Sequence, residues 1–199
     1  MPERLIIGIT GASGVIYGIR LLEALAASGE IETHLVLTAA AKATIAQETN
    51  WKVSDVEALA TVVYDNRDIG AAIASGSFAT RGMIIAPCSI KSLSAIAHSY
   101  AADLLTRAAD VTLKEGKPVL LVVRETPLHL GHLRLMVQAA EIGCIIFPPV
   151  PALYAHPQTV DDIVNGTVGR ILSRMGIENE LYYRWQGMAA RRLSPGESL

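Results

Sequence analysis

The chain has 199 residues, a length that suits one domain, and its 17 basic and 19 acidic side chains leave a formal net charge of −2. That balance excludes a protein built on the electrostatics of a nucleic-acid backbone, which needs a basic excess or stripe. Hydrophobic residues make up 51%, aromatics 5% and charged residues 18%, so disorder is excluded, the core is aliphatic, and some apolar surface is expected to be hidden by self-association.

Leu5–Ile9 is a short apolar run ending in the turn residues Thr10–Gly14 and reads as a buried strand. Val15–Ala27 carries Ile16, Ile19, Leu22 and Leu25 on helical spacing and closes at Ser28-Gly29. Thr33–Leu37 is a second strand and Ala39–Glu48 a helix, and Ser54-Asp-Val-Glu57 spells a capping box for another short one. Val62–Tyr64 is a candidate strand, and Met83–Ala86 is a strand stopped by Pro87. Helices follow over Ser89–Tyr100 and Asp103–Glu115, then a strand at Val119–Val123 and a helix at Leu128–Ile142. Ile145–Phe147 is a last strand, and Thr159-Val-Asp-Asp162 caps a helix reaching about Met175. Alternation of helices with strands that lack polar alternation means a parallel sheet covered on both faces, a three-layer α/β fold.

No apolar run approaches the 18 residues of a membrane span, and the first is too short for a secretion signal. Cys88 and Cys144 stand at no metal-ligand spacing, so the expectation is a reducing cytoplasm with neither disulfide nor structural zinc. The chain reads as one domain over 1–199, with a polar tail from Gly176 whose last residues are expected to be mobile. Within that tail, Tyr182-Tyr-Arg-Trp185 is a candidate for docking on a neighbouring subunit.

Ligands of such sheets sit beyond the carboxyl ends of the strands. In Thr10–Gly14, Gly11 and Gly14 permit tight turns and close approach, and Ser13 adds a hydroxyl; a plain strand-to-helix turn is the alternative. Ser89 and Ser92 of Pro87-Cys-Ser-Ile-Lys-Ser92 offer donors to a ring or phosphate. Cys88 is either a thiol activated by a helix N-terminus or a small packing residue. Arg107 and Lys114 share a helix face with Asp103 and Asp110 four residues before them, so surface ion pairs compete with function there. Arg124-Glu125 follows the most apolar strand, where solubility does not explain a charged pair, and Arg suits a phosphate. Tyr154 and His156 follow the Pro-rich end of the last strand; Arg170 on the last helix reads by default as solvated charge.

Six segments occur in order: Thr-Gly-Ala-Ser-Gly, Pro-Cys-Ser-Ile-Lys-Ser-Leu93, Arg107-Ala-Ala-Asp-Val-Thr-Leu-Lys-Glu115, Val-Arg-Glu-Thr-Pro-Leu128, Tyr154-x-His-Pro and Val160-Asp-Asp-Ile-Val. Together, over about residues 4–175, they resemble the flavin prenyltransferases of the UbiX type. The resemblance implies a flavodoxin-like Rossmann fold, a homo-oligomer of trimers forming a dodecamer, and FMN bound at subunit interfaces without a metal. It implies a reaction that joins dimethylallyl monophosphate to reduced FMN at N5 and C6, releasing phosphate. The prenylated FMN would serve a UbiD-type decarboxylase. The residues it implies for FMN are Gly11, Ala12, Ser13, Thr38, Ser89, Ile90, Lys91, Ser92, Arg107 and Arg124. Lys114, Arg124, Tyr154 and Arg170 would hold the substrate phosphate; Ser13, Glu48 and Glu125 would handle protons. Two segments depart from the family: Thr38-Ala39 replaces Ser-Lys, and His132-Leu-Arg-Leu135 replaces His-Leu-Glu-Asn. A non-catalytic FMN-binding subunit would lack the phosphate-binding quartet, and a flavin-dependent cysteine decarboxylase would show Pro-x-Met-Asn where Pro87-Cys-Ser-Ile stands.

Overall fold

Aliphatic runs with little to offer water build the strands of the computed structural model, which describes residues 3–185 and 187. In chain order these are β1 (Glu3–Ile9), β2 (Ile31–Leu37), β3 (Val62–Asp65), β4 (Met83–Cys88), β5 (Val119–Val123) and β6 (Cys144–Ile146). They form one parallel sheet in the order β3-β2-β1-β4-β5-β6. Between them run α1 (Ile16–Ser28), α2 (Ala39–Glu48), α3 (Val53–Glu57), α4 (Ile90–Ala97), α5 (Leu104–Lys114) and α6 (Leu130–Glu141), with α7 (Val160–Arg174) last.

Successive strand residues point to opposite faces, so one sheet feeds two cores. Leu5, Ile7 and Ile9 meet Ile19 and Leu22 of α1, Ile45 of α2 and Ile171 of α7. Ile6, Ile85 and Leu121 meet Leu93 of α4 and Leu105 and Ala108 of α5. Helices on both faces of a parallel sheet make the three-layer fold that the alternation implied, in the doubly wound Rossmann form that the resemblance implied. The chain winds outward from β1 through β2 to β3, and from β4 through β5 to β6. Its switch point therefore falls between β1 and β4, where a crevice opens beyond the strands' carboxyl ends.

Local chemistry sets most boundaries. Gly29, at φ +66°, ends α1. Asp103 and Thr106 form a reciprocal capping box at α5, and Thr159 and Asp162 form another at α7. Three expectations are corrected. β4 continues through Pro87 to Cys88, because a register shift between Ile85 and Cys88 takes the proline out of regular pairing with β5. No capping box forms at Ser54, which lies inside α3; Lys52 precedes the helix without a side-chain cap, and the Ser54 hydroxyl donates to Asp55. α4 stops at Ala97 rather than Tyr100, and Ser99 takes a left-handed φ of +52° just beyond. The Ser-Pro-Gly-Glu-Ser terminus lies outside the described residues.

Candidate functional site

The crevice is tied together by a residue to which sequence reading assigns no role of its own. Buried Thr10, at the end of β1, donates its hydroxyl to the Pro87 carbonyl at 2.8 Å and accepts from the Ser89 amide at 2.8 Å. One side chain thereby holds the β1–α1 and β4–α4 loops in fixed relation. Gly11 follows, and a Cβ there would overlap the Ala40 methyl, so glycine lets the start of α2 close in on this loop. Thr38 caps α2 by accepting from the Ala41 amide, and Ser89 caps α4 by accepting from Ser92. Both helix N-termini end at the crevice, where their positive dipole ends suit an anion.

A cavity of about 670 Å³ opens there, lined by Gly11, Thr38, Ser89, Lys91 and Ser92 among the sequence candidates. That volume lies within the ~300–1,000 Å³ of small-molecule sites. Hydroxyls, glycine backbone, capped helix ends and the Lys91 cation suit a phosphorylated ring system such as FMN. Ala12 and Ser13 belong to the adjoining loop rather than to the lining. Ile90 packs its side chain against the Leu93–Leu105 core instead of facing the cavity. Asn66, His98, Tyr100, Asp103 and Thr106 also line it, and none of them was a ligand candidate from the sequence. Two of them are explained by capping: the Asn66 amide oxygen accepts from the Leu105 N–H, and Asp103 accepts from Thr106.

Beside the cavity, the Gly14 amide donates to Glu48 Oε2 at 2.8 Å, which brings the last residue of α2 against the loop carrying Ser13. Two proposed proton handlers far apart in sequence are thus neighbours. Glu125 stands apart on the exposed loop after β5, where its carboxylate accepts from the Thr126 amide. Tyr17, half-buried on α1, would touch any Cβ placed on Gly14. Burial raises its phenol pKa, and the Thr167 hydroxyl and the nearby Arg124 charge pull the other way. Its position in an ordinary helical pattern gave no functional signal.

Tyr154 and Arg170 line a second cavity of about 350 Å³, with His156, Asp162, Tyr182 and Tyr183. The Arg170 guanidinium lies 5.4 Å from the centre of the Tyr182 ring, and Tyr154 meets Trp185 edge-on at 5.4 Å between ring centres. The Tyr182–Trp185 segment, a candidate for intersubunit docking, packs on α7 and Tyr154 of its own chain. The single chain does not bring Lys114 to this group. Lys114 ends α5 near the amino ends of the strands and pairs with Glu115 at 2.6 Å. Arg107 pairs with Asp110 at 3.2 Å, so the ion pairs expected four residues apart are not the ones formed; Asp103 is committed to capping.

Cys88 is wholly buried, and burial pushes its thiol pKa far up, which excludes the activated-thiol alternative and leaves a packing residue. Burial pushes the Cys144 thiol up to about 11. Among the described residues no cluster of His, Cys, Asp and Glu could hold a metal, and no helix is long and apolar enough to cross a membrane.

The Flavoprotein family matches residues 2–172. The chain is 60% identical over 187 residues to "Flavin prenyltransferase UbiX" of Escherichia coli (strain K12), covering 93% of this chain and 99% of that one. The crystal structure of AnUbiX (PadA1) in complex with FMN and dimethylallyl pyrophosphate superposes with a TM-score of 0.92 at 42% identity, covering 95% of this chain and all of that one. A dodecameric FMN-dependent Ubix-like decarboxylase from Escherichia coli O157:H7 superposes with a TM-score of 0.91 at 48% identity, covering 93% of this chain and all of that one.

Proposed function

The chain belongs to the flavin prenyltransferases of the Flavoprotein family, and from that premise we propose how its two cavities divide the work. In this reading the enzyme joins a dimethylallyl group from its monophosphate to reduced FMN, at N5 and C6, with loss of phosphate; the similar structure's ligands, FMN and dimethylallyl pyrophosphate, support the pairing of flavin with an allylic phosphate. Reduced FMN, once bound, supplies the nucleophilic ring; everything else falls to the protein.

The switch-point crevice takes the flavin. Gly11, Thr38, Ser89, Lys91 and Ser92 line it, Ala12 and Ser13 stand on the adjoining loop, Ile90 would contribute backbone, and Arg107 and Arg124, outside the lining, would add charge. Arg124, Tyr154 and Arg170 take the substrate phosphate, and Lys114 reaches it from another copy of the chain. Ionising an allylic phosphate places negative charge on the leaving group, and fixed cations stabilise that charge most where water is excluded. In a lone chain Arg124, Glu125, Tyr154 and Arg170 are all exposed, so closure by neighbouring copies belongs to the mechanism. Ser13 would stand by the flavin ring, while Glu48, held by the Gly14 amide through one carboxylate oxygen, and Glu125 would accept or relay the proton released in the reaction. The product passes to a UbiD-type decarboxylase in the cytoplasm, where both protonated thiols remain reduced.

The observation that supports the reading is a flavin-sized crevice at the switch point, lined by Gly11, Thr38, Ser89, Lys91 and Ser92, with Tyr154 and Arg170 lining a separate pocket. The test is to load the protein with FMN, reduce it without oxygen, add dimethylallyl monophosphate or the diphosphate in parallel, and weigh the extracted flavin. The expected result is a gain of one prenyl unit with the monophosphate. Unmodified flavin in both arms overturns the reading.

A further inference from the structure

The end of α5 rests against a segment that has no part in the site described so far. Ser75–Phe78 follows a single 3₁₀ turn at Ala72–Ala74 and leads toward β4. On one side of it Ile73 and Ala74 are buried in the core that packs α5. On the other, the Phe78 ring meets His34 edge-on at 4.9 Å between ring centres and lies 4.9 Å below the Arg4 guanidinium. Between these anchors the turn closes on itself. The Phe78 amide donates to the Ser75 carbonyl at 3.1 Å, and the Ser75 and Ser77 hydroxyls are hydrogen-bonded at 2.9 Å. A turn closed by a backbone hydrogen bond and pinned at both ends by packed side chains is a firm platform.

Lys114 and Glu115 lie on that platform, over Gly76. A Cβ at residue 76 would overlap Glu115 Oε1 and stand 2.8 Å from Lys114 Nζ, and the two side chains are paired with each other at 2.6 Å. Gly76 does not take a left-handed φ, so the turn itself would accept alanine, and the missing side chain answers to what lies against it. A lysine has many rotamers to lose, and an ammonium already in place when its anion arrives binds at lower entropic cost. We propose that Gly76 is a positioning residue for Lys114: its bare backbone seats the Lys114–Glu115 pair so that the ammonium stands ready for the phosphate of a substrate held by another copy. The inference rests on the proposed role of Lys114 and deepens it, since it says what places that side chain.

The test reads binding rather than turnover: dimethylallyl monophosphate is titrated calorimetrically into protein loaded with oxidised FMN. Gly76→Ala is expected to keep the native urea midpoint and FMN affinity, because the added methyl displaces only the ends of two flexible side chains. It is expected to weaken the monophosphate about ten- to hundredfold, as for a lost hydrogen bond to a charged group. Lys114→Ala is expected to weaken it by a similar factor. Gly76→Ala added to Lys114→Ala is expected to cost nothing more, since both act through one ammonium, whereas a merely structural glycine would add its own loss. Native monophosphate affinity in Gly76→Ala, or a further loss in the Lys114→Ala background, overturns the proposal while leaving Lys114 in the site. Native affinity in Lys114→Ala removes that residue from the phosphate, and the proposal falls with the reading it rests on. If Gly76→Ala fails to fold, Gly76→Ala with Glu115→Ala clears the nearer obstacle and is compared with Glu115→Ala alone. Equal affinity in those two, or a double variant that also fails to fold, overturns the proposal.

Discussion

Thr10 shows how little of a residue's importance lies in its own chemistry. Replacing its hydroxyl by a methyl in Thr10→Val leaves the Ser89 amide and the Pro87 carbonyl without their buried partner. Each unsatisfied group costs about 1–3 kcal/mol. Thr10→Val is therefore expected to lower the urea midpoint and weaken FMN binding together, while Thr10→Ser keeps both; equal FMN affinity in the Val variant would detach the tie from the site. Arg124→Ala acts differently, because the side chain stands exposed at the crevice edge. It is expected to retain FMN by fluorescence titration while prenylation falls roughly a hundred- to thousandfold, the usual loss of about 3–4 kcal/mol for a donor to developing negative charge. Cys144 links burial to pH. Its thiol is raised from 9.0 to about 11 in the folded chain. Between those values the unfolded state gives up a proton that the native state keeps, so stability is expected to fall as pH rises from about 9 to 11. The loss should shrink in Cys144→Ala, as read from urea midpoints at pH 8 and 10.

Helices in this chain are useful for where they begin. α2 and α4 start at the crevice with Thr38 and Ser89 as caps, and α2 ends by setting Glu48 against Gly14. The start of α2 can approach only because residue 11 lacks a Cβ. Gly11→Ala should displace α2, so loss of FMN affinity together with weaker proton handling is the expected result. A variant that binds FMN normally would show that the loop can yield. The Thr159 box at α7 lies away from the flavin crevice and serves as the comparison. Thr159→Ala is expected to cost about 1 kcal/mol in denaturant titration, with FMN affinity unchanged.

At the scale of the molecule, Lys114 ends α5 beside the amino ends of the strands, whereas Arg124 follows the carboxyl end of β5. If one phosphate uses both, the site must draw on two copies. Lys114→Ala and Arg124→Ala variants, each inactive alone, are then expected to recover turnover when co-expressed. Random mixing of two chains gives about one quarter of shared sites both native residues. No recovery would place both residues in one chain's site or remove Lys114 from it.

Residues alone decided the alternation of elements, the parallel sheet and the cap of α7, because periodicity and capping act over a few neighbours. The motif loops were legible for the same reason: Gly11, Ser89 and Ser92 lie where a switch point must expose them. What the sequence could not decide depended on packing between distant segments. The thiol of Cys88 met a helix N-terminus on paper and proved to be buried. Ile90 turned into the core, Asp103 capped its helix instead of pairing with Arg107, and Pro87 stayed within a strand that a register shift made room for. Thr10 became the tie between two loops only once β1 and β4 stood side by side, since hydrogen bonds across 77 and 79 residues leave no trace in local spacing. Tertiary structure alone brought Glu48 to the Ser13 loop and Gly76 against Lys114, because direction and burial belong to the folded chain and not to the order of its residues.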